Sequence, residues 1–387
     1  MSGWLEVGHE AAAELLMKRL RVAVSAVAGV TGGPATYVVE LLHAMAALGD
    51  PELDLHILTD RPDLFAQASG VTTHELPLPS SWYQPWWDNI AVPRMLRRLR
   101  PDVYHGTKHA LPLAGVPRAV AQVVSLHDLA VYAEPETFSL PQRWQLYLHL
   151  RHAAFRARRI IAVSEYTATD VVRQFGVSRA KIDVVGHGVA ESFQPPKDAA
   201  ARAAVRARYG AREGQLVAFV GTAQPRKRID VAIDAVGRLV AEGRNVRLVI
   251  AGRRRPGFAP DWLRNPPPFV VLAGEVNATE LVELYGAADV MVSPSSFEGF
   301  GLTFVEAMAC GCPVVGIAAT SVPEVVGDAG LLVERAEVGL VAAALRELLS
   351  DETRRAQVAV RALARARELS WPRAAARTLE VYRAAAF

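Results

Sequence analysis

Cysteine is nearly absent from this chain of 387 residues: there are two, Cys310 and Cys312, one residue apart. An i,i+2 pair makes a poor disulfide, and no other thiol is left to build a metal cluster, so the expected setting is reduced and intracellular. Long apolar runs are missing too, since none reaches the ~18 residues a membrane-spanning helix needs. An excess of one charge sign is also lacking. Lys+Arg 43 against Asp+Glu 40 leaves +3, far from the balance of a dedicated nucleic-acid binder. Lysine is scarce, standing only at 18, 108, 181, 197 and 227, so a lysine in a chemically pointed place carries more information than an arginine. The Asp-x-Asp motif of metal-bound sugar nucleotides does not occur, nor does a Gly-x-Gly-x-x-Gly turn. What is present is a 51% hydrophobic, 21% charged composition, which supports packed cores and excludes disorder as the main state. The length suits two α/β domains.

The stretch Met17–Val27 imitates a signal peptide, but its apolar part is short and runs into Gly29-Val30-Thr31-Gly32-Gly33-Pro34. A helical pattern then follows through Tyr37, Val38, Leu41, Leu42 and Met45. Strand, glycine-rich turn and helix is the better parse. Further strands are expected at 53–59, 103–105, 120–126, 160–163 and 181–185, a linker at Pro195-Pro196-Lys197, then strands at 216–220, 247–251, 269–273, 289–292 and 313–316. Apolar strands alternating with amphipathic helices imply parallel sheets covered on both faces. The expected organisation is an extension over 1–16, a Rossmann-like domain over 17–192 and a second over 193–369. A last helix over 370–387 crosses back to the first domain. Ligands of such sheets bind beyond the carboxyl ends of the strands, so the turns after strands are the places to search.

The richest of these turns follows the strand at 289–292. Glu298, Gly299, Phe300 and Gly301 lead into a helix beginning near Leu302, with Glu306 about one turn inside it. Helix N-terminal amides bind anions, and glycines let backbone approach a ligand. Two acids around such a turn suit a molecule with phosphate in the middle and hydroxyls at both ends. The plainer reading is a strand–loop–helix whose acid favours the helix dipole. A second turn, Gly221-Thr222-Ala223-Gln224-Pro225-Arg226-Lys227, sets two cations beside a strand end. Arg forks onto two oxygens and Lys supplies a compact charge, so both suit a diphosphate.

Glu298 and Glu306, with seven residues between them, resemble the E-x7-E signature of retaining GT-B glycosyltransferases of family 4. Val163-Ser164-Glu165-Tyr166-Thr167, Gly221-x3-Pro225-Arg226-Lys227 and Val322-Pro323-Glu324-Val325-Val326-Gly327-Asp328-Ala329-Gly330 are similar to further motifs of that family, and the likeness covers nearly the whole chain. It implies an α/β GT-B fold, two Rossmann-like domains around a cleft, and a nucleotide-sugar donor used without a metal or other cofactor. Glu298 would grip sugar hydroxyls and Glu306 ribose hydroxyls. Gly32, Gly33, Gly221, Arg226, Lys227, Gly299, Phe300, Gly301 and Leu302 would border the donor. His127, next to Asp128 at a strand end, is similar to the family's His-Asp element. The resemblance implies that it orients sugar hydroxyls and offers its carbonyl to positive charge at the anomeric carbon. With His127, the residues implied in catalysis are Glu298 and Lys227. Thr222 stands where many members carry Arg, which leaves Arg226 as the second phosphate cation.

The likeness leans to mannosyltransferase-type members and GDP-mannose, with UDP-glucose the alternative. An epimerase of the same fold and a non-catalytic sugar-nucleotide binder stand behind these. The expected acceptor is a saccharide or lipid-linked saccharide, and nucleic acid is not an expected partner. A cytoplasmic location follows, with peripheral contact at the inner membrane face. Trp82, Trp86 and Trp87, followed by the basic stretch Val92–Arg100, are candidates for stacking on the acceptor or lying on lipid, against the alternative of an aromatic core under a solvated Arg face.

Overall fold

The computed structural model describes residues 19–27, 33–77, 86–196 and 198–387. Residues 1–16, Gly29–Gly32, Trp82 and Lys197 therefore lie outside the described residues. Two all-parallel sheets are formed. The first has seven strands in the order β3-β2-β1-β4-β5-β6-β7: β1 (Leu20–Ala26), β2 (Leu53–Thr59), β3 (Val71–Glu75), β4 (Val103–Gly106), β5 (Ala121–Leu126), β6 (Arg159–Ala162) and β7 (Ile182–Val184). The second has six in the order β10-β9-β8-β11-β12-β13: β8 (Gln215–Val220), β9 (Val246–Ala251), β10 (Val270–Gly274), β11 (Val290–Ser293), β12 (Val314–Ile317) and β13 (Leu331–Val333).

Strand order reverses between β1 and β4 in the first sheet and between β8 and β11 in the second. Those switch points are where a doubly wound sheet opens a crevice for ligand. The interior strands carry near-continuous apolar runs because both their faces are covered. In β1, Val22 and Val24 point into a core with Tyr37, Val38 and Leu41, while Ala23 points into the opposite core with Tyr104 and Leu150. Beyond the expected strands are β3 and β13, one at an edge of each sheet. β3 reads Val-Thr-Thr-His-Glu and is nowhere fully buried, so no apolar run marks it. β13 is only three residues long.

Helix ends follow local chemistry. Ser164 caps the Glu165–Phe175 helix by accepting from Thr167 N, and Gly176 closes it at φ 68°. A capping box of Ser139 and Gln142, with Pro141 in the first turn, starts the Leu140–Arg156 helix. Among the described residues, no helix is long and apolar enough to cross a membrane.

The last helix, Trp371–Ala386, packs on the first sheet, with Trp371, Leu379 and Tyr382 in one core with Tyr37 and Val24. A buried chain of hydrogen bonds fixes it there. Tyr382 Oη lies 2.7 Å from His105 Nδ1, His105 Nε2 lies 2.8 Å from Ser125 Oγ, and Ser125 Oγ lies 2.8 Å from Tyr37 Oη. Burial pushes the His105 imidazole down to about 3, so it stays neutral and serves as donor at one nitrogen and acceptor at the other. The chain thus passes between the domains twice, and the two crossings run side by side: Val189 N donates to Leu369 O at 3.1 Å, and a Cβ on Gly188 would stand 2.1 Å from Trp371 N.

Candidate active site

A cleft of about 320 Å³ lies between the domains at the two switch points. Gly33 borders it from the turn after β1, His127 and Asp128 from the end of β5, Gly221, Arg226 and Lys227 from the turn after β8, and Glu298 to Glu306 from the turn after β11. Every described residue expected at the donor lines this cleft: Gly33, Gly221, Arg226, Lys227, Glu298, Gly299, Phe300, Gly301, Leu302 and Glu306. His127 joins them, whereas Gly32 lies outside the described residues. The two glycine turns approach each other, with the Cβ position of Gly33 only 3.9 Å from Leu302 Cδ1.

The charged centre is a buried pair, Lys227 and Glu298, with the half-buried Arg226 beside it. Lys227 Nζ donates to Glu298 Oε1 at 2.5 Å, and Arg226 Nη1 stands 3.7 Å from Glu298 Oε2. Burial works against charge on Glu298, but Lys227 and Arg226 outweigh it and hold the carboxyl below its usual range. Burial draws Lys227 below its usual range, and Arg226 adds to this while Glu298 opposes it. Backbone bonds fix the geometry: Arg226 Nη1 donates to Phe297 O at 2.7 Å, Glu298 N to Thr320 Oγ1 at 3.1 Å and Ser321 Oγ to Glu298 O at 2.9 Å. Two cations therefore share one carboxylate beside the start of the Leu302–Ala309 helix, whose N-cap Gly301 (φ 92°) offers no side chain to its free amides. Thr303 Oγ1, in the same first turn, is buried without a hydrogen-bond partner. Such a place is built for anionic oxygen.

Glu306 is set apart from this cluster. Its Oε2 accepts from Tyr285 Oη at 3.3 Å, and burial raises its carboxyl to about 7. A hydroxyl-bearing ligand that prefers the carboxylate gains affinity as pH rises through that value, and loses it as the group protonates below. Nucleotide affinity is expected to fall about tenfold between pH 8 and pH 6, and Glu306→Gln to flatten the profile. Calorimetric titration against pH checks both, and an equally steep profile in Glu306→Gln removes Glu306 from ribose contact.

His127 is neutral, because burial pushes it down to about 3. Its Nε2–H donates to Thr107 O at 2.7 Å, which leaves Nδ1 as a bare acceptor, buried and without a partner. The hydrogen-bonding capacity left over on this ring is therefore the lone pair of Nδ1. The His127 carbonyl, expected to face the anomeric carbon, instead abuts the backbone of the other domain: a Cβ on Gly299 would stand 1.9 Å from His127 O. Phe300 packs its ring at 4.8 Å on His187, which borders the same cleft.

Closure uses residues that the sequence motifs contain but whose role their spacing did not disclose. Ser164 Oγ donates to Gly299 O at 2.9 Å. Glu324, from the Pro-Glu-Val loop of the second domain, accepts from Glu165 N at 2.9 Å on each oxygen and so caps a helix of the first domain. Ser296 Oγ donates to Glu134 Oε1 at 2.5 Å. Among the described residues, no group of three or more His, Cys, Asp or Glu is placed to hold a metal ion.

The aromatic acceptor reading needs correction. Trp87 is fully buried, in one core with Ala23, Val92 and Leu96, and its indole N–H points to Ser25 Oγ at 3.4 Å. It is core and cannot stack on a ligand. Trp86 is exposed, and Trp82 lies outside the described residues.

Comparison with known proteins agrees with the geometry. Residues 202–365 match the glycosyl transferases group 1, and residues 31–193 match Glycosyltransferase Family 4. The chain is 29% identical over 300 residues to the O-antigen chain mannosyltransferase B of Escherichia coli, covering 74% of this chain and 76% of that protein. It is 37% identical over 248 residues to the D-inositol 3-phosphate glycosyltransferase of Nocardia farcinica, covering 59% of this chain but only 53% of that one. In three dimensions it resembles Anabaena HepE in complex with UDP and glucose, with a TM-score of 0.75 over 95% of this chain and 100% of that chain at 18% identity.

Proposed function

Because the chain belongs to the group 1 (family 4) glycosyltransferases of GT-B fold, we propose that it is a retaining hexosyltransferase that moves mannose from GDP-mannose to a saccharide or lipid-linked saccharide. The observation that carries this reading is the buried pair of Lys227 and Glu298 with Arg226 beside it, at the start of the Leu302–Ala309 helix. Transfer breaks the bond between the anomeric carbon and the diphosphate oxygen. Negative charge gathers on the leaving diphosphate and positive charge on the sugar ring. Arg226, Lys227 and the amides at Leu302 and Thr303 meet the first, and they act most strongly as the bond breaks. Glu298 and the bare Nδ1 of His127 hold sugar hydroxyls, and Glu306 holds the ribose. The acceptor attacks from the face that the diphosphate leaves, and the departing phosphate takes its proton, so the anomeric configuration is kept.

The choice of mannose rests on the mannosyltransferase relative and on the Gly-Thr-x-x-Pro-Arg-Lys form of the phosphate turn. Thermal denaturation with GDP, UDP and ADP and their hexose conjugates tests the donor, because a ligand that binds only the folded state raises the melting temperature. The largest rise is expected with GDP-mannose. A larger rise with UDP-glucose would replace mannose by glucose, and no rise with any of them would remove the donor site. The anomeric configuration of the product, read by NMR, tests retention.

A further inference from the structure

The Leu140–Arg156 helix has two apolar faces, and only one is covered. Leu150, Ala153 and Ala154 are buried against the first sheet. Leu140, Trp144, Leu148 and Phe155 are 66%, 66%, 64% and 52% exposed. At about 100° per residue these four fall within roughly one quarter of the helix circumference, so they form one stripe. Of the eleven exposed large apolar side chains among the described residues, four stand on this single helix. Large exposed apolar stripes are uncommon on surfaces that stay in water.

The charge on the same helix is one-sided. Its 17 residues contain Arg143, Arg151 and Arg156 and no Asp or Glu. No ion pair ties these three arginines to a carboxylate among the described residues, whereas Arg159, Arg173 and Arg179, further along the chain, are each paired with an acid. Arg151 instead lies over the Phe155 ring at 5.0 Å, within the stripe. The nearby Val92–Leu99 helix packs into the same core on the same face of the sheet and exposes Arg94, Arg97 and Arg98. The acids closest in sequence, Glu134 and Glu136, precede the helix, and Glu134 is turned toward Ser296.

We propose that this face docks on an anionic lipid bilayer, with Leu140, Trp144, Leu148 and Phe155 entering the headgroup boundary and the arginines meeting lipid phosphates. An apolar stripe flanked by cations is what an interfacial helix requires. A second copy of the chain is a poor occupant, because a two-fold contact would set these arginines against one another with no acid to separate them. The placement also suits the chemistry, and this part rests on the function proposed above. The helix belongs to the domain that carries His127 and Asp128 and is joined to them by residues 129–139, so docking holds that wall of the cleft on a membrane-bound domain, within reach of a lipid-linked acceptor.

Sedimentation with phosphatidylglycerol vesicles, compared with phosphatidylcholine vesicles, tests the proposal. Binding to the anionic vesicles alone is expected, and it weakens as salt screens the arginines. Trp144→Ser with Leu148→Ser should weaken it by about tenfold or more, with the melting temperature and the nucleotide-induced shift unchanged. Arg143→Gln with Arg151→Gln should also weaken it. Absence of binding at low salt overturns the proposal, as does binding that both double variants retain. A chain that elutes as a dimer and becomes monomeric in the Trp144/Leu148 variant overturns it in favour of self-association. The nucleotide shift reports the donor site separately, so failure of docking is distinguishable from failure of the proposed reaction.

Discussion

Lys227→Ala should lower turnover by about two orders of magnitude with little change in donor KM, and Glu298→Ala should lose a similar factor. The size is that of one preorganised contact to charge that develops only in the transition state. The two substitutions are also expected to be strongly non-additive. Lys227 and Glu298 share a 2.5 Å hydrogen bond in a buried position. Removing either one leaves the other without its main partner, which already costs much of what the pair supplies. Lys227→Ala leaves Glu298 with Arg226 at 3.7 Å as the remaining cation. Glu298→Ala leaves two cations without the carboxylate between them, so nucleotide affinity should hold or rise while turnover falls. That divergence separates an active-site pair from a structural ion pair, whose loss would lower the melting temperature and leave kcat and KM moving together. Single-turnover rates with saturating donor decide it. Near-normal rates in both variants would place the reaction elsewhere.

How much of this site could be read in the sequence depends on the kind of residue. Glu298, Glu306, Arg226 and Lys227 stand in turns directly after apolar strands, and a parallel sheet places such turns at one edge whatever its loops do. Their convergence therefore follows from strand order alone, and the cleft contains all of them. Trp87 was ambiguous for the opposite reason. An aromatic cluster next to a basic helix has the same pattern whether it faces a ligand or a core, and here the ring fills the space beneath the Val92–Leu99 helix. The stripe on the Leu140–Arg156 helix was hidden likewise, because apolar residues on two faces of one helix show no clean period until the sheet covers one of them. Glu324 and Ser164 were visible as motif residues, but their partners lie 159 and 135 positions away in sequence. Nothing local in the chain announces a contact between domains.

Gly299→Ala should abolish most of the activity, by about a hundredfold or more, while leaving the fold intact. Gly299 is not among the residues with positive φ, so alanine can take its backbone conformation without strain and the substitution tests space alone. There is none: the new Cβ would stand 1.9 Å from His127 O and 2.9 Å from Asp128 Cβ. The first of these is backbone and cannot swing aside, so the two domains must part by an ångström or more at the reacting centre. That opening stretches the 2.9 Å bond from Ser164 Oγ to Gly299 O and moves Glu298 away from His127. Misplacement on that scale costs about 10²-fold in rate. Core residues flank the contact, Phe300 on one side and Leu126 and Leu129 on the other, but the substitution truncates none of them, so the melting temperature should fall by no more than a few degrees. Solution scattering should show a slightly larger radius of gyration than that of the unsubstituted chain. Gly301→Ala makes a useful contrast, because its φ of 92° adds backbone strain to the crowding that Phe304 already imposes, and it should lose donor affinity as well as turnover. Wild-type kcat in Gly299→Ala would show that the contact between Gly299 and His127 is absent from the working state, and that the reacting centre is assembled in a more open arrangement of the two domains.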